Sequence, residues 1–349
     1  MKLLKELSEG FGAPGFEDEV RAVVLREVKK LVDEVKVDAL GNVIALKRAS
    51  TKTKTPAKKL MFAGHMDEIG FVVSHINKGG FLRISPLGGF DPKTLIAKRV
   101  MVHGKKKKFV GMIGTKPIHV MSADERTKMP QLAEVFVDVG LKATEVKKHI
   151  EIGDWVTLQQ NFLEIGDLIS GKSLDNRIAV WTLIQLLRDL QKKSHAVDVY
   201  AVFTTQEEVG LRGAVTSAYG VNPDVGVAID VTVACDIPGC SEEQYVTKLG
   251  EGVAIEICNG STINNHKLVS FVRQVADKNK IKYQLEVSAG GTDAGGMWRA
   301  REGVPVATIS LPTRNVHTVV ETAHKQDLQG LVKLLTHFVQ EAHKGEFGY

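Results

Sequence analysis

The sequence predicts an α/β protein: a mixed, largely parallel sheet sandwiched by helices, with a small all-β barrel domain inserted in its middle. Three observations predict it. Helix-like runs followed by strand-like runs open the chain. From Ile69 to about Leu163 the texture changes to short β-type runs broken by glycines, such as GFVVSHI, GGFLRIS, RVMVHG and KFVGMIG. After Gly166 the alternation returns. A chain of 349 residues has room for about two domains. The expected layout is one α/β domain made of residues 1–68 and 163–349, split in sequence by an insert at 69–162.

Each element follows from local pattern. A short helix is expected around Leu3–Leu7, then a Gly/Pro break at Gly10, Gly12, Pro14 and Gly15. Apolar residues at helical spacing (Val20, Val23, Val24, Val28, Leu31) predict a helix over Phe16–Val32. Strands are expected at Glu34–Asp38, Asn42–Lys47 and Lys59–Ala63, with a Ser/Thr/Lys loop over Ala49–Lys59. Within the insert the one helical pattern is Ala143–His149. Beyond it come helices at Asn176–Leu190, Asn265–Asn279, Thr292–Ala300 and Lys325–His343. Strands are expected at Val197–Thr205, Val225–Val231, Val253–Cys258, Lys282–Val287 and Val306–Ser310.

Composition excludes several classes. Hydrophobic residues at 43% and charged residues at 25% describe a chain able to bury a large core, not a disordered one. No apolar run approaches the ~20 residues that span a bilayer. The opening segment carries scattered charges rather than a signal peptide's apolar stretch, so a cytoplasmic protein without membrane partners is the expectation. The net charge of +5 collects at Lys52, Lys54, Lys58, Lys59 and Lys105–Lys108, between strand-like runs. Turn or edge lysines explain these better than nucleic-acid binding does. Cys235, Cys240 and Cys258 are too few for a disulfide framework. The spacing of Cys235 and Cys240 does not suit a zinc pair, and reduced thiols are expected.

Ligands of open α/β sheets bind beyond the carboxyl ends of the strands. Five separate segments deliver His, Asp or Glu to such an end: His65-Met66-Asp67, Asp175 before the long apolar helix, Glu207-Glu208, Asp230 and His317. Singly each has a plain explanation. Glu207-Glu208 could be a solvated loop pair, and Asp175 a helix cap. Asp230 ends an apolar strand, where an unpaired carboxylate is costly. Together, two His and several carboxylates without Cys suit divalent Zn, Co or Mn. A pair of ions about 3.5–4 Å apart needs one bridging carboxylate and terminal ligands on either side. His65 with Asp230, Asp175 as the bridge, and Glu208 with His317 form such a set. Glu207 remains as a general base, and Asp67 as acceptor for the second nitrogen of His65.

The motifs AGHMDEIGF, SLDNR, TTQEEVGLRGA, AIDVT, GGTDAGG and PTRNVHT resemble the M42 family of metallo-aminopeptidases, the glutamyl-aminopeptidase and tetrahedral aminopeptidase group. The likeness extends over nearly the whole chain, with GTKPIHVM and IEIGDWVTL in the insert. It implies the same metal ligands (His65, Asp175, Glu208, Asp230, His317) and the same roles for Glu207 and Asp67. It also implies two Zn or Co ions, release of N-terminal residues from peptides with a free N-terminus, and attack by a hydroxide between the metals. The insert would mediate dimerisation, and six dimers would form a hollow dodecamer. Around Gly290, Gly291, Thr292 and Asp293 the glycines would let backbone approach a substrate. The run Asn315-Val316-His317-Thr318-Val319 departs from the family, whose members often carry an aromatic before the hydrophobic residue and a different residue after the Thr/Ser, a difference that bears on the substrate-side pocket.

Three other readings use some of the same residues. A related dinuclear carboxypeptidase or deacylase needs the same carboxylates. A glycoside hydrolase needs two carboxylates and no metal, and adjacent Glu207 and Glu208 suit it poorly because neighbours on an extended chain point apart. A non-catalytic peptide-binding relative would not need the full ligand set.

Overall fold

A computed structural model describes residues 1–51 and 56–348. Lys52, Lys54 and the middle of the expected Ala49–Lys59 loop lie outside the described residues.

Helices α1 (Lys2–Glu9) and α2 (Asp18–Val28) open the chain, followed by strands β1 (Glu34–Val37), β2 (Val43–Lys47) and β3 (Lys59–His65). The insert contributes β4 (Gly70–Ile76), β5 (Leu82–Leu87), β6 (Arg99–His103), β7 (Lys108–Gly114), α3 (Ala123–Thr127), β8 (Phe136–Asp138), α4 (Ala143–His149) and β9 (Trp155–Leu158). Then come β10 (Leu163–Ile165), β11 (Leu168–Gly171), α5 (Leu174–Asp189), β12 (Asp198–Thr204), α6 (Arg212–Val221), β13 (Val225–Val233) and β14 (Val253–Cys258). The chain closes with α7 (His266–Lys278), β15 (Tyr283–Val287), α8 (Asp293–Met297), β16 (Val306–Arg314), β17 (Glu321–His324) and α9 (Lys325–Glu341).

The main sheet runs β1-β2-β12-β3-β13-β16-β17-β11-β10, with β14 joined to β16 and β15. Its centre is parallel, pairing β12 with β3, β3 with β13 and β13 with β16. Its flanks are antiparallel. Central β13, VGVAIDVTV, is buried over eight of its nine residues, as a strand covered on both faces must be. Edge strand β1, EVKV, is mostly exposed and charged, which discourages further pairing. Successive residues of β3 serve opposite faces. Leu60 and Phe62 join the core with α2, α5 and α9. Met61 and Ala63 join a smaller one with α6 and α8.

Strands β4-β5-β8-β7-β6-β9 close into an antiparallel barrel with its own core, including Phe71, Leu82, Val100, Val137 and Val156. Closure removes free sheet edges.

Local physics explains where elements differ from expectation. Helix α2 stops at Val28 because residues 29–32 turn, with the Leu31 N–H donating to the Val28 carbonyl. The insert holds a second helix, α3, closed by a Ser122/Glu125 capping box that the SADE sequence carries. Strands β10, β11 and β17 are short and lack a strong alternating signature. Gly64 matters most for the site. A Cβ there would sit 2.6 Å from the Ala179 Cβ, so glycine lets β3 press against α5 and bring the segment bearing Asp175 to His65.

Candidate metal centre

Strand and helix ends on one rim of the sheet carry the cluster. His65 ends β3, and Glu207-Glu208 follow β12. Asp230 lies in β13, and His317 follows β16. Asp175 stands at the start of α5, where residues 175 and 176 are not yet helical. The helix cap is Asn176, not Asp175: its Oδ1 accepts from the Ala179 N–H at 3.1 Å, and its Nδ2 donates to the Ile229 carbonyl at 2.9 Å. That ties α5 to β13 beside Asp230 and leaves the Asp175 carboxylate free to face the site.

Asp175 has one oxygen toward each imidazole. Its Oδ1 is 3.2 Å from His65 Nε2, and its Oδ2 is 3.3 Å from His317 Nε2. His65 Nε2 also lies 3.7 Å from Glu207 Oε2 and 3.9 Å from Asp230 Oδ1. His317 Nε2 is 3.3 Å from Glu208 Oε2. Behind His65, Nδ1 is 3.0 Å from the Asp67 carbonyl and 3.6 Å from its carboxylate. The Asp67 carboxylate is mainly occupied elsewhere: it accepts the N–H groups of Glu207 and Glu208, each at 3.1 Å. Asp67 therefore holds both the ring and the acidic loop.

The backbone near these residues is costly. Ser173, Gln206 and His317 have φ of 54°, 55° and 62°, in the left-handed region. Each costs of order 1–3 kcal/mol, and such residues gather at functional sites.

Burial pushes the Glu207 and Asp230 carboxyls well above the carboxylate range; neighbouring carboxylates add to this and His65 opposes it. Glu208 rises for the same first reason, with Asp175 adding. Burial opposes charge on Asp175 too, yet His317 and His65 hold it below its usual value. Burial also opposes charge on the imidazoles, but the carboxylates win: His65 is held well above its usual value, and His317 is pushed up to about 12.

The donor set fits divalent cations. His65, Glu207 and Asp230 present ligand atoms within 4.8 Å of one another, and so do His65, Asp175 and Glu208. Glu208 Oε1 is buried without a hydrogen-bond partner among the described residues. Four crowded carboxylates against two imidazoles leave a negative excess that cations neutralise.

One residue of this rim has no counterpart in the sequence reading. Buried Glu321 accepts the Asp175 N–H and the His317 N–H, both at 2.9 Å, fixing the two backbones that flank the bridge. Its place four residues after His317 was the available signal.

The cluster lines a cavity of about 590 Å3. Gly290, Gly291 and Thr292 line it as well, together with Gly89 from the inserted barrel. Asp293 does not line it. Its carboxylate accepts from the Thr204 hydroxyl beneath. Burial raises the Asp293 carboxyl to about 6, against the influence of His65. Cys235, Cys240 and Cys258 are free thiols.

This fold, with this rim of carboxylates and imidazoles, defines a metal-dependent hydrolase. The chain belongs to the M42 family of aminopeptidases: the family model for M42 glutamyl aminopeptidase matches residues 41–334. It is 36% identical to a lysyl aminopeptidase of Pyrococcus furiosus over 353 aligned residues, covering 99% of this chain and 98% of that one. An aminopeptidase from the archaeon Desulfurococcus kamchatkensis superimposes with a TM-score of 0.92 at 40% identity, covering 97% of this chain and 94% of that one. A TET1 peptidase of Pyrococcus horikoshii, described as assembling into a tetrahedron or a large octahedral shell, gives 0.86 at 31%, covering 97% and 99%. The protein is thus a hydrolase acting on peptide bonds.

Proposed function

We propose that the protein is a dinuclear metallo-aminopeptidase acting on peptides with a free N-terminus. The observation that carries this is Asp175 set between two imidazoles, one oxygen to each, at 3.2 and 3.3 Å. His65 and Asp230 would hold one divalent ion, Glu208 and His317 the other, and Asp175 would bridge them. Zn or Co suits these ligands. Bound there, the two ions would polarise the scissile carbonyl and acidify water. Glu207 takes the proton from the attacking water and returns it to the leaving amine. Burial, with Asp230 and Glu208 adding to it against His65, raises its carboxyl above the ordinary carboxylate range, which strengthens it as a proton acceptor. Asp67 keeps Glu207 in place through its backbone N–H. The glycines at 290 and 291 let a peptide backbone approach the metals, with Thr292 beside them.

Metal content and turnover test this together. Expected are about two ions per chain, loss of activity on chelation, and cleavage of free aminoacyl anilides but not of N-blocked peptides. Glu207→Gln should retain metal while losing turnover. Activity only on blocked peptides would favour a carboxypeptidase or deacylase, and full activity after chelation a metal-free hydrolase.

We further propose that residues 1–68 and 163–349 form the catalytic domain and 69–162 an assembly domain. Ile118, Val120 and Met129 of the insert are 59%, 64% and 56% exposed, an apolar surface suited to a second copy. The P. horikoshii relative, described as assembling into a tetrahedron or a large octahedral shell, supports a homo-oligomer. A monomer by light scattering would refute this without touching the chemistry. Among the described residues no helix is long and apolar enough to cross a membrane.

A further inference from the structure

The cavity has a second acidic wall that the chemistry above does not use. Glu256 and Glu286 stand directly opposite each other on parallel strands β14 and β15, and each is 1% exposed. Like charges facing across a sheet destabilise it, and buried carboxylates need partners. Those they have are neutral. Glu256 is well satisfied: Ser288 Oγ donates to Oε1 at 3.1 Å, and the Asn259 and Asn264 amides donate to Oε2 at 2.9 and 3.0 Å. Glu286 is not. Its Oε1 accepts from the Thr232 hydroxyl, while Oε2 is buried with no hydrogen-bond partner among the described residues.

Both residues line the same cavity as the metal ligands. Thr232 follows Asp230 by two residues on β13, so their side chains share a face roughly 7 Å apart. Glu286 lies one hydrogen bond beyond. That separation suits an extended lysine or arginine side chain whose own carbonyl sits at the metals.

We propose that Glu286, backed by Glu256, recognises a cationic side chain, so that the preferred substrates are peptides whose first residue is lysine or arginine. This rests on the aminopeptidase reading. An ammonium or guanidinium group supplies the partner that Glu286 Oε2 lacks and neutralises the facing pair. An acidic first residue would bring a further carboxylate beside this buried pair and supply no counter-charge. Burial raises the Glu286 carboxyl to about 8, with the Thr232 and Ser310 hydroxyls opposing and Glu256 adding, as expected of a carboxylate without a cation.

The test uses the metal-loaded full chain and p-nitroanilides of lysine, arginine, leucine, alanine and glutamate. For the wild type, kcat/KM on the basic anilides should exceed that on leucine and glutamate by about tenfold or more. Glu286→Gln should lower kcat/KM on the basic anilides by about tenfold or more, chiefly through KM, and leave leucine within about twofold. Competitive inhibition by free L-arginine, assayed on the leucine anilide, should weaken in parallel. Equal or better use of leucine or glutamate by the wild type overturns the proposal. So does a Glu286→Gln variant that loses all anilides alike. The wild-type panel decides even if the variant does not fold. Cleavage of free-amine anilides without basic preference sinks only the specificity pocket. Cleavage of N-blocked substrates alone sinks the aminopeptidase reading and the pocket with it.

Discussion

Two buried charge clusters adjoin the carboxyl end of β3, which His65 ends and Glu68 follows by three residues, and they are built on opposite principles. One is the rim of Asp175, Glu207, Glu208 and Asp230, whose ion-pair partners among the described residues are two imidazoles. The other is Glu68 with Lys172 and Arg177. There one carboxylate receives Lys172 Nζ at 2.7 and 2.8 Å, Ser173 Oγ at 2.8 Å and the Gly12 N–H at 3.1 Å, with Arg177 at 3.3 Å. Backbone carbonyls of Met66, Leu7 and Gly10 absorb the remaining donors. In the second cluster two cations share one carboxylate and every charged group is hydrogen-bonded, so it braces the fold; the first keeps an excess of carboxylate. The difference teaches that saturation of hydrogen-bond partners among the described residues, complete around Glu68 but not at Glu208 Oε1, separates a brace from a site where burial alone does not.

The comparison breaks most sharply at Asp175. Asp175→Asn keeps the shape but removes the shared charge. Activity should fall by about 10³-fold or more, and metal content should drop, because one residue serves both ions. Metal analysis beside kinetics checks it; an active variant with full metal would show that Asp175 is not the bridge.

On the other side of the comparison stands Glu68→Gln. It strips the carboxylate from two buried cations, each of which would then lack a counter-charge. A loss of about 3–5 kcal/mol of stability is expected, read by denaturant unfolding. Molecules that remain folded should bind metal as before. If stability held while metal content fell, the two clusters would have to be treated as one.

Glu321 sharpens the boundary between them. It is buried like Glu68, yet both its oxygens serve the backbone on either side of the bridge. In Glu321→Gln only one acceptor oxygen survives, so Asp175 or His317 loses its anchor. Metal affinity or activity should fall by about 10–100-fold, with a smaller change in stability. Equilibrium dialysis with the metal distinguishes this from a general loss of fold.

What was legible in the sequence divides along the same line. His65 ends a strand, Asp175 opens a helix, Asp230 lies in the last half of β13, and Glu207, Glu208 and His317 follow strands; such positions on one rim of a parallel centre converge. Local pattern therefore sufficed to anticipate that they meet. The barrel was legible for a similar reason: alternation and glycine spacing are local. Glu321, Glu68 and Glu286 were not, because what distinguishes them is a partner far away in sequence or, for one oxygen of Glu286, the lack of one. Lys172 reaches Glu68 across 104 positions and Glu321 reaches Asp175 across 146. No window along the chain contains both ends. Helix capping was left open by the sequence for a subtler reason. Asp175 and Asn176 are both good caps, and only the fold selects Asn176, releasing its neighbour for the site.

Glu17 offers the smallest and most quantitative distinction, since it lies between brace and site. Its carboxylate accepts the Gly15 and Gln206 N–H groups at 2.8 and 3.2 Å. Burial first, and Asp67 second, raise its carboxyl to about 7. A carboxyl held higher in the folded chain than in the unfolded one favours folding while protonated. That contribution is full below about pH 4.5 and is lost as pH climbs to 7. Glu17→Gln keeps an acceptor oxygen for both N–H groups but cannot ionise. Its stability relative to wild type should therefore be near zero at pH 4.5 and rise to on the order of 1–3 kcal/mol in the variant's favour by pH 7.5. Urea unfolding across that range measures the slope. A flat difference would mean that Glu17 ionises freely, and that the negative field of the rim does not extend to the loop carrying Gln206.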